Sequence, residues 1–316
     1  MTLQWALTIA VVGGMAFVLA SRWSQLEKLL TFSTGTVAII GIGALALFVI
    51  SGLVLQALAR PFHLHLPFAE AFVIGLADAT LNYLPLKAGT VATGTILWSR
   101  HRLAPTKFAA MIAGTSILGM WVSTTMGSAL LIWRGVAVAW AWALLIVPTA
   151  GVVFLLVWGL RFDGHMPDTE HAHWFVRTIN RVLDGVRAIF ADVTLVVLMI
   201  VYSVARVVIV AVQLMVAFRA VSTPIGFGTG VIMSSLATAL STLSIIPGGL
   251  GFREGGVAGV AALLGIPATI GLAASLIERT VTVVLTAVCG IPATIYVSRK
   301  VSWALLMRGS GQESEA

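Results

Sequence analysis

Inside a long and otherwise apolar stretch the chain breaks at IPGGLGFREGG, Ile246 to Gly256, where prolines and glycines interrupt any helix and Arg253 and Glu254 stand side by side. Lipid has nothing to offer the backbone groups that such a break frees, so it is tolerated at membrane depth only where protein or a water-filled cavity covers it. A shift of 162 residues finds a degenerate copy: Pro247 falls on Pro85 of LPLKAGT, Gly251 on Gly89 and Pro267 on Pro105. The expectation is a duplicated unit built around two broken helices.

Composition places the chain in a membrane. Apolar residues make up 59%, charged residues 10%, and the mean hydropathy is +1.02, far outside the range of soluble domains. Runs long enough to cross a hydrocarbon core of ~30 Å, which takes ~20 helical residues, occur near 3–20, 36–59, 107–132, 136–160, 193–218 and 267–297. Two further segments are pairs of shorter apolar arms around the breaks, 67–84 with 89–99 and 224–246 with 252–264. The predicted fold is therefore an all-α polytopic membrane protein, one transmembrane domain over 1–316, with about six full spans plus two re-entrant or broken hairpins. The N-terminal stretch lacks a basic region ahead of its apolar run, so it reads as a retained first span. Cys289 is the only cysteine, which excludes an intrachain disulfide.

The net charge of +7 first encodes topology in such a chain, not affinity for nucleic acid. With the N-terminus inside and each hairpin returning to the side it left, only Arg22, Lys28, Arg134 and Arg219 fall outside. Eleven cations, among them Arg60, Arg100, Arg102 and Lys107, fall on the cytoplasmic side. This assignment puts both termini in the cytoplasm of a bacterial-type inner membrane. It also gives two repeats, 36–132 and 193–297, of opposite orientation. Inverted repeats with matching broken helices point to a secondary-transporter plan with a site at the repeat interface.

Four cations remain, Lys87, Arg206, Arg253 and Arg279, all at predicted membrane depth, with Asp78, Glu254 and Glu278 as acidic counterparts. A charge near the centre of a span costs at least ~2.5–3.5 kcal/mol, so these residues either form structural ion pairs, such as Arg206 with Glu278, or serve a function. Helical spacing puts Tyr202, Arg206 and Gln213 on one face and Ser275, Glu278 or Arg279, Thr282 and Thr286 on another. Ser234, Ser235, Thr238, Ser241 and Thr242 form a third polar stripe, of a kind that also promotes ordinary helix packing.

At the breaks, glycines such as Gly249 and Gly251 free backbone N–H groups and the following helix points its positive end at the cavity, which favours an anion. Arg253 adds a donor fork suited to phosphate and Lys87 a point charge. The substrate-binding candidates are thus Arg253, Lys87, Arg206, Arg279, Gly249 and Gly251. Glu254, Glu278 and Asp78 are left with three open roles: holding a counter-cation, accepting a proton, or compensating the arginines.

The pairing of NYLPLKAGT with IIPGGLGFREGG in this hydropathy pattern resembles the lysylphosphatidylglycerol synthase/flippase transmembrane family over most of the chain. The specific part is PGGLGxRE, matched at Pro247, Gly248, Gly249, Gly251, Arg253 and Glu254. The first motif is the looser match, since Thr90 follows Gly89. The resemblance implies movement of a phosphate-bearing lipid between leaflets. The short segment after the last span, ending GSGQESEA, leads us to expect no aminoacyl-transfer domain and so no lipid synthesis.

Residues 161–192 form the one sizeable polar loop, with Phe175, Ile179, Val182, Val186 and Ile189 at helical spacing and Arg177, Arg181 and Arg187 elsewhere around the helix, the pattern of an amphipathic helix on the inner leaflet surface. The acids and histidines between Asp163 and His173 match no closed metal site, and no nucleophile stands with a base near the cavity. The chain is accordingly expected to be a lipid flippase without enzymatic activity, metal or cofactor. Its expected partners are lipids with anionic headgroups and either a second copy or a lipid-synthesising enzyme. The alternatives are a lipid-binding partner subunit of a membrane transferase, or a small-anion transporter.

Overall fold

A computed structural model describes residues 33–84, 87–136, 139–161, 174–243 and 252–312. Among these it is all-helical: ten α-helices, one short 3₁₀ turn at Arg60–Phe62 and no strand. In chain order they are α1 (Thr34–Ala59), α2 (Phe68–Leu81), α3 (Ala88–His101), α4 (Pro105–Trp133), α5 (Ala139–Arg161), α6 (Trp174–Ala191), α7 (Val193–Ala220), α8 (Phe227–Leu243), α9 (Phe252–Leu263) and α10 (Ala268–Gln312). Local signals set several starts. The Ser33 hydroxyl accepts from the Thr36 N–H ahead of α1, and the Asp192 carboxylate accepts from the Leu195 N–H ahead of α7. Pro105 opens α4 at the first turn, where its missing N–H costs nothing.

Five of these helices, α1, α4, α5, α7 and α10, are long and apolar enough to cross a membrane. The expected span at 3–20 and most of the second break lie outside the described residues. The arms around the breaks are short: 14 residues in α2 and in α3, 17 in α8 and 12 in α9. At ~1.5 Å per residue they reach ~18–26 Å, short of the ~30 Å a crossing needs.

The same shift of 162 that aligns the two motifs lays α1–α4 onto α7–α10 in order. Packing follows a crossed pattern, in which α2 rests on α1 and on α10, while α8 rests on α7 and on α4. Small residues permit both crossings. A Cβ at Gly290 of α10 would collide with the Thr80 hydroxyl of α2, and one at Gly127 of α4 would meet Ser235 Cβ of α8 at 3.0 Å. Thr80 Oγ1 donates to the Leu76 carbonyl and onward to that of Thr286.

Two apolar cores occupy opposite ends of the bundle. One gathers the end of α1 (Leu58, Ala59), the start of α4 (Met111, Leu118) and the start of α7 (Leu195, Val196), with Val297 late in α10 packed against it. The other gathers Ile40 early in α1, Leu131 at the end of α4, Leu214 and Phe218 late in α7, and Ala274 and Val281 in the first half of α10. Helices α1 and α7 therefore run antiparallel, as do α4 and α10. A buried side chain fixes the first pair, because Gln213 Nε2 donates to the Ile40 carbonyl at 2.8 Å.

The helix foreseen in the 161–192 loop is α6. Val186 and Ile189 are buried in the first core with Phe190, and α6 packs on α4 and α5. Among the described side chains Phe175, Val176 and Ile179, near its start, are exposed. The apolar stripe is drawn onto protein because the starts of α4 and α7 present an unfilled apolar surface beside it.

Candidate functional site

The second break sends α9 off from Phe252, so Arg253 and Glu254 occupy its first turn, facing the middle of α10. There the sequence runs Glu278, Arg279, and the two dipeptides pair crosswise. Arg253 Nη2 lies 2.9 Å from Glu278 Oε2, and Arg279 Nε lies 3.8 Å from Glu254 Oε1. Thr282, one turn along α10, donates its hydroxyl to Glu278 Oε1 at 3.1 Å. Glu254, Glu278 and Arg279 are buried, and the Arg253 side chain keeps only 13% of its surface. Four charges withdrawn from water in this way persist because each has an opposite partner within reach.

The first break joins this cluster through an aromatic ring. Tyr83, just after α2, lies under the Arg279 guanidinium at 5.3 Å from its ring centroid, a cation–π contact worth up to ~2 kcal/mol when desolvated. Nothing in the spacing marked Tyr83, although it stands in the same NYLPLKAGT segment as Lys87. Asn82 and Thr93 were also passed over. Asn82 Nδ2 donates to Asp78 Oδ2 at 3.0 Å and Thr93 Oγ1 donates to Asp78 Oδ1 at 3.3 Å, while the Thr90 N–H donates to Asn82 Oδ1 at 3.3 Å. This network ties the arms of the first hairpin together, so closely that a Cβ at Gly89 would collide with the Asp78 carbonyl.

Two cations stand apart from the pairs. Arg206, halfway along α7, is exposed, with Arg253 near enough to repel it. No described residue hydrogen-bonds or ion-pairs with it. Structural ion pairs do form, but the one offered as an example, Arg206 with Glu278, is not among them: Glu278 faces Arg253, because α9 delivers that guanidinium onto α10. Lys87 is exposed, immediately before α3, with φ +49°. A left-handed residue with a Cβ costs ~1–2 kcal/mol, and the 162 shift puts a glycine, Gly249, at the corresponding place. The first half keeps a strained lysine where the second has a glycine in the sequence.

The remaining candidates divide. Gly249 and Gly251 lie outside the described residues, as do the acids and histidines at 163–173. Gln213, on the face shared with Tyr202 and Arg206, belongs to helix packing through its bond to α1. Ser275 is buried and Thr286 bonds within its own helix to the Thr282 carbonyl. Ser234 likewise bonds to the carbonyls of Val207 and Val231. Among the described residues no group of acids, histidines and cysteines could hold a metal ion.

Five long apolar helices and short arms meeting over buried charge define a multi-pass α-helical membrane protein. The chain belongs to the family described as the lysylphosphatidylglycerol synthase TM region, whose model matches residues 4–290. Neither a curated protein nor a solved structure matches it.

Proposed function

We propose that this protein moves a lipid bearing a phosphate, either a phospholipid or a polyprenyl-phosphate-linked lipid, between the leaflets of a cytoplasmic membrane, and that it does so without enzymatic chemistry. The observation that carries the reading is Arg206: an exposed cation at mid-span with no partner among the described residues. A charge there costs several kcal/mol unless something compensates it, and the neighbouring acids are already engaged by Arg253 and Arg279. A phosphate oxyanion suits such a cation, since a guanidinium binds it bidentately.

Lys87 supplies a second exposed cation from the first break, while the crossed pairs hold the walls of the site. The roles foreseen for the cations are thereby redistributed, with Arg253 and Arg279 as structural members and Arg206 and Lys87 as headgroup contacts. The antiparallel course of α1 against α7 and of α4 against α10 supports an inverted repeat, in which rocking of the halves would open the site to each leaflet in turn. The acyl or polyprenyl chains would stay in the bilayer.

Leaflet exchange of fluorescent phospholipids and polyprenyl phosphates in proteoliposomes tests this, with wild type compared to Arg206→Gln at matched incorporation. Exchange in the wild type that falls at least about tenfold in the variant is the expected result; tenfold corresponds to 1.4 kcal/mol of lost headgroup binding. Equal rates would remove Arg206 from the site. A folded wild type that exchanges no lipid would shift the assignment to a lipid-binding partner subunit of a membrane transferase.

A further inference from the structure

Of the three acids at membrane depth, two are accounted for. Glu278 faces Arg253 and Glu254 faces Arg279. Asp78 is different: it is half-buried in the last turn of α2, and the groups acting on it, Asn82 and Thr93, are both neutral. No cation among the described residues reaches it. The nearest cation along the chain is Lys87, which is exposed and makes no ion pair. The elements against which α2 packs are α1, α3 and α10, and the charged groups that α10 turns to this side, Glu278 and Arg279, are held within the crossed pairs.

We infer that Asp78 is a proton-binding site, and that its charge state sets how firmly the first hairpin is closed. A carboxylate at membrane depth that no cation reaches is favoured to take up a cation or a proton. The ligand chemistry here favours the proton. A metal cation would need several oxygen lone pairs turned toward it, whereas Asn82 and Thr93 present hydrogens. The orientation of the Asn82 amide is set by the network, because its oxygen accepts from the Thr90 N–H.

The same bonds give protonation a mechanical consequence. As an anion, Asp78 draws one donor from its own helix and one, Thr93, from the facing arm, and bonds to an ionised acceptor are about twice as strong as neutral ones. Protonation removes the charge that strengthens these bonds; the Thr93 hydroxyl, which can accept as well as donate, is left with a weaker neutral contact, and the tie between α2 and α3 loosens. The loosened segment includes Lys87, the strained residue at the mouth of α3, and Tyr83, which lies under Arg279. A proton at Asp78 is thus placed to release the first hairpin from the charge cluster of the second, and a proton gradient to bias the direction of lipid movement. This last step rests on the transport reading, while the proton site itself does not.

Two measurements separate the two claims. The first needs no transport: infrared difference spectra of the protein in phosphatidylcholine vesicles, recorded across a pH titration, for wild type, Asp78→Asn and Thr93→Val. The expected result is a carboxylic-acid C=O band in the wild type that is absent from Asp78→Asn and titrates at a different pH in Thr93→Val. Superimposable spectra of wild type and Asp78→Asn would overturn the proton site. A band that responds to sodium at fixed pH would overturn it in favour of a cation site. The second uses vesicles of phosphatidylcholine with phosphatidylglycerol under an imposed pH gradient, reading net transfer of the anionic lipid. Loss of the gradient response in Asp78→Asn, with passive exchange retained, is expected; an unchanged response would overturn the coupling. If the wild type moves no lipid, the transport reading and the coupling fall and the infrared result alone decides the site.

Discussion

Replacing Glu278 by glutamine keeps size and an acceptor for Thr282 but removes the negative charge opposite Arg253. At 2.9 Å the attraction is ~6 kcal/mol with an effective dielectric of ~20, before the cost of desolvating both groups is deducted. The net worth of the pair is therefore small, yet breaking it is costly, because the guanidinium left behind stays largely out of water. A single removal of this kind costs ~3–5 kcal/mol, whereas neutralising both members is often close to neutral. The expectation is that Glu278→Gln and Arg253→Gln each destabilise by ~3–5 kcal/mol. The double variant should be at least ~2 kcal/mol better than the sum of the two. Unfolding by sodium dodecyl sulfate in mixed micelles, followed by tryptophan fluorescence, reads the four corners of this cycle. Additive costs would refute the pairing, and a Glu278→Gln protein as stable as wild type would show that the cluster is not withdrawn from water.

Other outcomes follow from the same geometry. Arg206→Gln removes a cation that no described residue compensates and should leave stability equal to or above wild type, so the same unfolding assay distinguishes a transport defect from a folding defect. Lys87→Gly relieves a left-handed residue and should stabilise by up to ~1 kcal/mol, while lipid exchange falls if the strained lysine is kept for its charge; a destabilised variant would contradict this. Gly89→Ala places a methyl group against the Asp78 carbonyl and should cost ~3 kcal/mol or abolish expression, since backbone cannot yield as a side chain does. Gly290→Ala meets the Thr80 hydroxyl instead, so adding Thr80→Ala should recover part of its loss, as measured by detergent-solubilised yield and melting temperature. Tyr83→Leu removes the ring beneath Arg279 and should cost ~1–2 kcal/mol in the same titration.

The sequence by itself determined the spans, the breaks and the set of charges at membrane depth. Each of these follows from local chemistry: lipid accepts only apolar helix of sufficient length, and proline with glycine ends a helix wherever it stands. It also determined which residues share a helix face, since a period of 3.6 is intrinsic to the backbone, and so grouped Arg206 with Gln213 and Glu278 with Thr282. Which faces meet was decided by the tertiary structure. Contact across α9 and α10 gave Glu278 to Arg253 and left Arg206 exposed and unpaired among the described residues. Gln213 was withdrawn into packing by the close approach of α1, and the end of α6 was drawn into the core by the apolar starts of α4 and α7. Tyr83 and Asp78 gained their roles in the same way, one by reaching an arginine in the other half of the chain and the other by being reached by none. Pairing among buried charges depends on distances of a few ångströms between segments far apart in sequence, and neither composition nor periodicity carries that information.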